Sequence, residues 1–207
     1  MNKKYYYSQI GQDYFVDHIL DKDNGFFVDI GAGVGHLDAR QVPAGLMSNT
    51  LMLESQRGWK GIAIDYDEVY IEEAKKSRVC DMVCADLMET NINDILENHN
   101  TPSEVDYLSF DVDGAQSKVF GELDFSKYSF KIITYEHDIY RNEQKEFDEE
   151  SRGRFEELGY KLLFGNVGVT RGEAVEDWYV NQDLFEKYKD LKQDNVYVWE
   201  GLACLPA

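Results

Sequence analysis

Basic side chains are scarce in this chain. Its 207 residues hold 21 Lys and Arg against 40 Asp and Glu, a formal charge of -19 at pH 7. Nucleic acids are gripped by clustered Lys and Arg that displace phosphate counterions, so this balance argues against a nucleic acid partner. It equally disfavours docking on anionic membranes and suits a neutral or cationic small molecule. Long apolar runs are missing too. No stretch reaches the length of a membrane span, and the first seven residues lack the apolar core of a signal peptide. Cysteine is confined to Cys80, Cys84 and Cys204, an odd number without metal-ligand spacing, which implies reduced thiols and a cytoplasmic setting. Neither a repeat nor a low-complexity linker divides the chain. What remains is 43% apolar and 14% aromatic, enough to exclude disorder and to fill one core without disulfides.

The chain is organised around Phe26-Phe27-Val28-Asp29-Ile30-Gly31-Ala32-Gly33-Val34-Gly35. A short run apolar on both faces reads as a buried parallel strand. Glycines at its carboxyl end let the backbone turn tightly and let a ligand approach the main chain. In open α/β sheets ligands bind at that edge, where strand order reverses. One absence sorts the ligand classes. A dinucleotide fingerprint needs a glycine at position 36, and that residue is His36. The pattern acid-x-G-x-G-x-G is instead similar to the first motif of S-adenosylmethionine (SAM)-dependent methyltransferases. The bland alternative is a glycine-rich turn that binds nothing.

Apolar spacing over residues 8–20, including Ile10, Tyr14 and Ile19, predicts a leading helix. Strands are expected at 26–30, 61–65, 79–84, 105–110 and 130–135, followed by a closing pair at 160–164 and 177–180. Helices are expected at 67–77, 92–97, 114–123 and 143–158, with another capped by Ser48 or Asn49 and running to Arg57. The polar segment 36–47 reads as a loop at the ligand edge. Alternating strands and helices imply an α/β fold, a Rossmann-like doubly wound, mostly parallel sheet with an antiparallel edge strand. Residues 1–207 form one domain, with a leading helical segment at 1–25 and a C-terminal helix and apolar tail at 182–207. The tail at 196–205 needs a covering surface, in the same chain or in a homodimer.

Most predicted strands end in an acid. Asp65 lies 34 residues after Gly31, where a carboxylate can accept both hydroxyls of a ribose, and Tyr66 beside it joins the same pocket. Asp86, or the backbone amide of Leu87, would meet an adenine edge; the plainer role for Asp86 is a helix cap. Asp111-Val112-Asp113-Gly114 places two carboxylates on one face of an extended chain, toward the charged end of a cofactor or a metal. Crowding raises the pKa of one of them, which would make Asp113 a candidate general base. The alternative is a turn-forming Asp-x-Asp-Gly. His137, between Glu136 and Asp138, is the other candidate base, with either acid orienting it; a purely structural histidine is the competing reading. Gln9, Gln12 and Asn49 are candidate pocket residues, against simple surface polarity. Of His18, His36 and His99, only His36 lies near the pocket.

The chain resembles the FkbM-type family of SAM-dependent methyltransferases. The matching stretches are Ser8-Gln9-Ile10-Gly11-Gln12-Asp13, the glycine stretch, Ser48-Asn49-Thr50 with Leu53-Glu54, and Gly58-Trp59-Lys60-Gly61. They continue through Val105-Asp106-Tyr107-Leu108-Ser109-Phe110-Asp111-Val112-Asp113-Gly114-Ala115, Glu136-His137, Leu158-Gly159-Tyr160 and Asp177-Trp178-Tyr179-Val180. Two departures fall on the acceptor side. Gln116 stands where the family usually has an acid, and the segment before Ser48 is longer than usual. The resemblance implies a seven-stranded methyltransferase sheet, SAM as donor, S-adenosylhomocysteine as product, and methylation of a hydroxyl on a sugar or other small metabolite. Together these readings place a cofactor site on Asp29, Gly31, Ala32, Gly33, Gly35, Asp65, Tyr66, Asp86, Leu87, Asp111, Gln12 and Asn49, and catalysis on His137, Asp113 and Glu136. A divalent metal on Asp111, Asp113 and His137 is a possible refinement. Two rival readings use the same scaffold: a nicotinamide-dependent oxidoreductase, and a cofactor-binding module without turnover.

Overall fold

The computed structural model describes residues 4–33, 47–112, 114–137, 145–170 and 174–205, with backbone alone for 145–149. Gly35, His36, Asp113 and Asp138 lie outside these residues, as does the expected loop up to residue 46. Eight strands are present among the described residues: β1 (Phe26–Ile30), β2 (Lys60–Asp65), β3 (Asp81–Cys84), β4 (Glu104–Phe110), β5 (Ser129–Glu136), β6 (Lys161–Val167), β7 (Glu176–Val180) and β8 (Gln193–Asp194). They form one sheet in the order β3-β2-β1-β4-β5-β7-β6-β8. The helices are α1 (Gln12–Leu20), α2 (Leu51–Arg57), α3 (Glu68–Ala74), α4 (Ile92–Asn98), α5 (Gln116–Glu122), α6 (Lys145–Glu157), α7 (Gln182–Tyr188) and α8 (Val198–Leu202).

Strands β1 to β5 run parallel, and β7 pairs antiparallel with both β5 and β6. The sheet is therefore mostly parallel with an antiparallel side, although β7 sits inside that side rather than on its rim. Two-residue β8 extends the seven-stranded order beyond β6. Strand order reverses where β1 lies between β2 and β4. The hollow beyond those carboxyl ends is thus the expected ligand position.

Side-chain alternation gives the sheet two differently built faces. Val28, Ile30, Leu108, Phe110, Ile133, Tyr135 and Tyr179 pack with Val119 and Phe120 of α5 and Phe155 of α6. Phe27, Tyr107, Ile132, Trp178 and Val180 face the other way, toward Phe15 and Val16 of α1 and Met52 and Leu53 of α2. The apolar tail finds its cover there: Val196, Val198, Leu202 and Leu205 are buried in this same cluster. Helix α1 starts four residues later than its apolar spacing suggested, for a local reason. The Asp13 carboxylate accepts from the amides of Tyr7 (2.6 Å) and Ser8 (3.3 Å) and from the Ser8 hydroxyl (2.5 Å), which folds the preceding residues into a turn. No helix among the described residues is long and apolar enough to cross a membrane.

Candidate functional site

The turn after β1 is locked from both sides. The amides of Gly31 and Ala32 both donate to the Ile64 carbonyl of β2, at 2.9 and 3.0 Å, while the Asp111 amide beyond β4 donates to Ile30 at 2.9 Å. Gly31 has φ +79°, and a Cβ there would stand 1.4 Å from the Asp111 carbonyl oxygen. Only glycine satisfies both conditions. The Gly33 amide donates to Asp65 Oδ2 at 2.8 Å, and the Asp67 amide donates to Asp65 Oδ1 at 2.8 Å. A Cβ on Gly33 would lie 2.5 Å from that same Oδ2. Glycine spacing on β1 and the terminal acid of β2 thus form one unit. Burial pushes the Asp65 carboxyl upward, opposed by the amides of Asp67 and Gly33. Each carboxylate oxygen has a further lone pair, enough to receive two neighbouring hydroxyls. Tyr66 follows at 75% exposure, its ring open to a planar ligand.

Asp29 lies deeper on the same side of β1. It pairs in register with Ala63 and Ser109, so Asp29 and Asp65 share a face of the sheet on neighbouring strands. Thr50 donates its hydroxyl proton to Asp29 Oδ2 at 2.7 Å, and Asn49 Nδ2 donates to Ser109 Oγ at 3.0 Å. Asn49 is therefore buried within the polar layer beneath the turn. Burial raises the Asp29 carboxyl, with the Thr50 hydroxyl, the Arg78 charge and the Ser109 hydroxyl acting against it.

The other candidate cofactor residues fall into distinct surroundings. Asp86 is exposed and its Oδ1 accepts from the Met88 amide at 2.8 Å, so its carboxylate organises the following turn in the capping manner. Leu87 is buried among apolar residues beside Ile92. Asp111 is half-buried against the glycine turn. Gln12 is buried, donating to Glu176 Oε1 at 2.6 Å while accepting from the Ile10 amide at 3.1 Å. Gln9 is exposed. Gln116, the departure from the family pattern, opens α5 and is buried.

The β5 tip corrects one expectation. Glu136 pairs with Glu176 and Tyr135 with Asp177, so strand alternation sends Glu136 and His137 to opposite faces. Glu136 shares its face with Gln12, Glu176 and Trp178, away from the acid that stands near His137. Among the described residues, the acid near the imidazole is Asp177, with Oδ1 3.6 Å from Nε2 and both side chains fully buried. Asp177 also takes Arg152 in a two-pronged pair at 2.5 and 2.7 Å, the Asn166 amide at 2.8 Å and the Tyr179 hydroxyl at 3.0 Å. Burial works against its charge, but His137 and Arg152 outweigh that and hold the carboxyl at about 2. Since 3.6 Å exceeds hydrogen-bond reach, Arg152 carries most of this effect. Among the described residues no three His, Cys, Asp or Glu side chains are grouped to hold a metal, and Asp113 lies outside them.

Residues 72–162 match the methyltransferase FkbM domain. The FkbM match runs from α3 into β6, taking in Asp86, Asp111, Glu136 and His137. It begins after the glycine turn and Asp65 and ends before Asp177, so those parts of the site rest on geometry. No curated protein matches the chain. Among solved structures, the TehB-like SAM-dependent methyltransferase from Corynebacterium glutamicum is similar with a TM-score of 0.50 and 14% identity, over 84% of this chain and 89% of that one. The METTL16 MTase domain is similar with a TM-score of 0.53 and 14% identity, over 80% of this chain and 64% of that one. The likeness is one of fold: the sheet is that of SAM-dependent methyltransferases.

Several participants escaped sequence reasoning. Arg78, Thr50 and Ser109 bind the layer under Asp29, and Glu176 and Asp177 complete the β5 tip. Arg78 sits in a charged stretch where it reads as a solvated cation, and no local spacing marks it. The pairing of Asp177 with His137 depends on strand register across 40 residues, which no motif carries.

Proposed function

We propose that this chain transfers the methyl group of SAM to a hydroxyl of a small metabolite, a sugar being the leading class. The observation that carries the reading is the contact between the Gly33 amide and Asp65, made at the strand-order switch beside an exposed Tyr66. The residues fit the donor. Asp65 offers acceptor oxygens for a ribose diol, Tyr66 an aromatic face for a base, and Asp29 a buried carboxylate for a cation. SAM, when bound, supplies an electrophilic methyl on a sulfonium. What the chain contributes is alignment: holding acceptor and donor in line in a dry hollow is worth roughly 7–11 kcal/mol. A hydroxyl also has to release its proton, and a positioned base typically adds about 10²–10⁴-fold. His137 and Asp113 are our candidates for that base. Asp177, ionised far below neutral pH, lies with Oδ1 3.6 Å from Nε2 of His137. The charge of -19 favours neutral or cationic small acceptors over nucleic acids or membranes.

Calorimetric titration with S-adenosylhomocysteine tests the reading. The wild-type chain is expected to bind, and Asp65→Ala to lose about 10- to 100-fold, as removal of charge-assisted hydrogen bonds predicts. Methyl transfer is then followed with labelled SAM over a panel of hydroxylated metabolites. Absence of binding heat, or an Asp65→Ala variant that binds like wild type, overturns the donor assignment. Binding without turnover on any hydroxyl overturns the acceptor.

A further inference from the structure

Among the described residues, Arg78 is the basic side chain driven wholly inside the polar layer beneath the glycine turn, with its side chain 0% exposed. Its Nε donates to Glu54 Oε2 at 3.0 Å, Nη1 to Ser48 Oγ at 3.1 Å and Nη2 to Thr50 Oγ1 at 2.9 Å. A hydroxyl has one proton. Because Thr50 Oγ1 is occupied as acceptor by Arg78, its proton is directed onward, and it goes to Asp29 Oδ2 at 2.7 Å. The other oxygen, Asp29 Oδ1, is buried; the Ser109 hydroxyl eases the charge of the carboxylate, and no donor among the described residues meets Oδ1 itself at hydrogen-bonding geometry. A buried carboxylate oxygen left in that state is costly unless a ligand completes it. Asp29 and Asp65 lie on the same face, two residues apart along adjoining strands, so one ligand can span both.

We propose that Arg78 and Thr50 form a positioning relay that holds Asp29 with Oδ1 presented to the ammonium of the cofactor's amino-acid end. The relay deepens the SAM reading above and rests on it. Neither Arg78 nor Thr50 touches the reaction centre; both act through Asp29. The guanidinium, one hydroxyl away, also helps keep the buried Asp29 charged, as its opposition to the burial effect shows. Ser48, Thr50 and Glu54 belong to α2 and the residues just before it, whereas Arg78 stands between α3 and β3. The relay therefore ties the segment under the turn to the far side of β2.

Two ligands separate positioning from folding: S-adenosylhomocysteine, and 5′-methylthioadenosine, which keeps the nucleoside and thioether and lacks the amino-acid end. Thr50→Val removes the proton donor at nearly constant volume. It is expected to lower S-adenosylhomocysteine affinity about tenfold while leaving methylthioadenosine within twofold, and Thr50→Ser should keep S-adenosylhomocysteine affinity at the wild-type level. Arg78→Lys, which keeps the charge but loses the fork, should show the same selective loss in weaker form. Equal loss for both ligands means Thr50 only supports the fold, and unchanged affinity for both means Asp29 needs no relay; each overturns the proposal. If the wild-type chain binds neither ligand, the donor assignment itself falls and the relay with it.

Discussion

The tips of β1 and β2 and the tips of β5 and β7 share one sheet edge and are stabilised by different kinds of partner. At β1–β2 the partners of the acid are backbone amides. Asp65 is held by Gly33 and Asp67, and the turn itself by the carbonyls of Ile64 and Ile30. At β5–β7 the acid is held mostly by side chains: Asp177 collects Arg152, Tyr179 and His137, with a single amide from Asn166. Backbone partners leave carboxylate lone pairs open toward a ligand, and they depend only on the chain being able to turn. Side-chain partners saturate the acid and seal it, with the His137 and Asp177 side chains both 0% exposed. The first arrangement suits a binding edge. The second suits a rigid joint between α6 and the antiparallel side.

Substitutions at each tip test this contrast. The largest effect is expected from Gly31→Ala, which forces a Cβ onto the Asp111 carbonyl at a φ that L residues avoid. We expect more than about 4 kcal/mol of destabilisation in a denaturant titration, or no folded protein. Asp177→Asn comes next. It removes the charged partner of the Arg152 guanidinium and should destabilise by about 3 kcal/mol, while S-adenosylhomocysteine affinity stays within twofold, because the damage lies at the other tip. Loss of ligand binding in that variant would show that the two tips are coupled.

Acid titration sharpens the same comparison. The folded-state carboxyl of Asp177 is depressed to about 2, below the ordinary value of about 3.9. Its contribution is therefore present above about pH 4 and is lost as pH falls through about 2, amounting to roughly 2–3 kcal/mol. The stability gap between wild type and Asp177→Asn should close over that window. Asp65 has the opposite sign: its carboxyl is raised by burial, so its ionisation weighs against the fold as pH rises, and Asp65→Ala should cost little stability at neutral pH. The smallest effect belongs to Tyr66→Ala. With the ring 75% exposed, stability should change by less than about 0.5 kcal/mol, while S-adenosylhomocysteine affinity falls several-fold if the ring stacks on the base.

How much was legible beforehand follows from the same distinction. β1 is found at the residues its apolar run marked, and Asp65 lies beside the glycine turn as its place at a strand end suggested. The start of α1 was misread because a buried carboxylate, Asp13, captured two amides and broke the apolar periodicity. Asp86 carried two readings, and its side chain is bonded to the Met88 amide as a turn residue would be. Glu136 was matched with His137 on adjacency alone, although strand alternation already separates neighbours.

Sequence alone determined the alternating strands and helices, the glycine turn and the acids at strand ends. Each follows from local quantities: apolar period, conformational freedom at a few positions, and the reach of one residue. Tertiary structure decided which buried charges meet. Arg78 finds Thr50 and Glu54, Gln12 finds Glu176, and Asp177 finds Arg152 and His137, across 24 to 164 residues of intervening chain. A charge removed from water is stable only beside its partner, and that partner is chosen by register and helix placement after the sheet has formed.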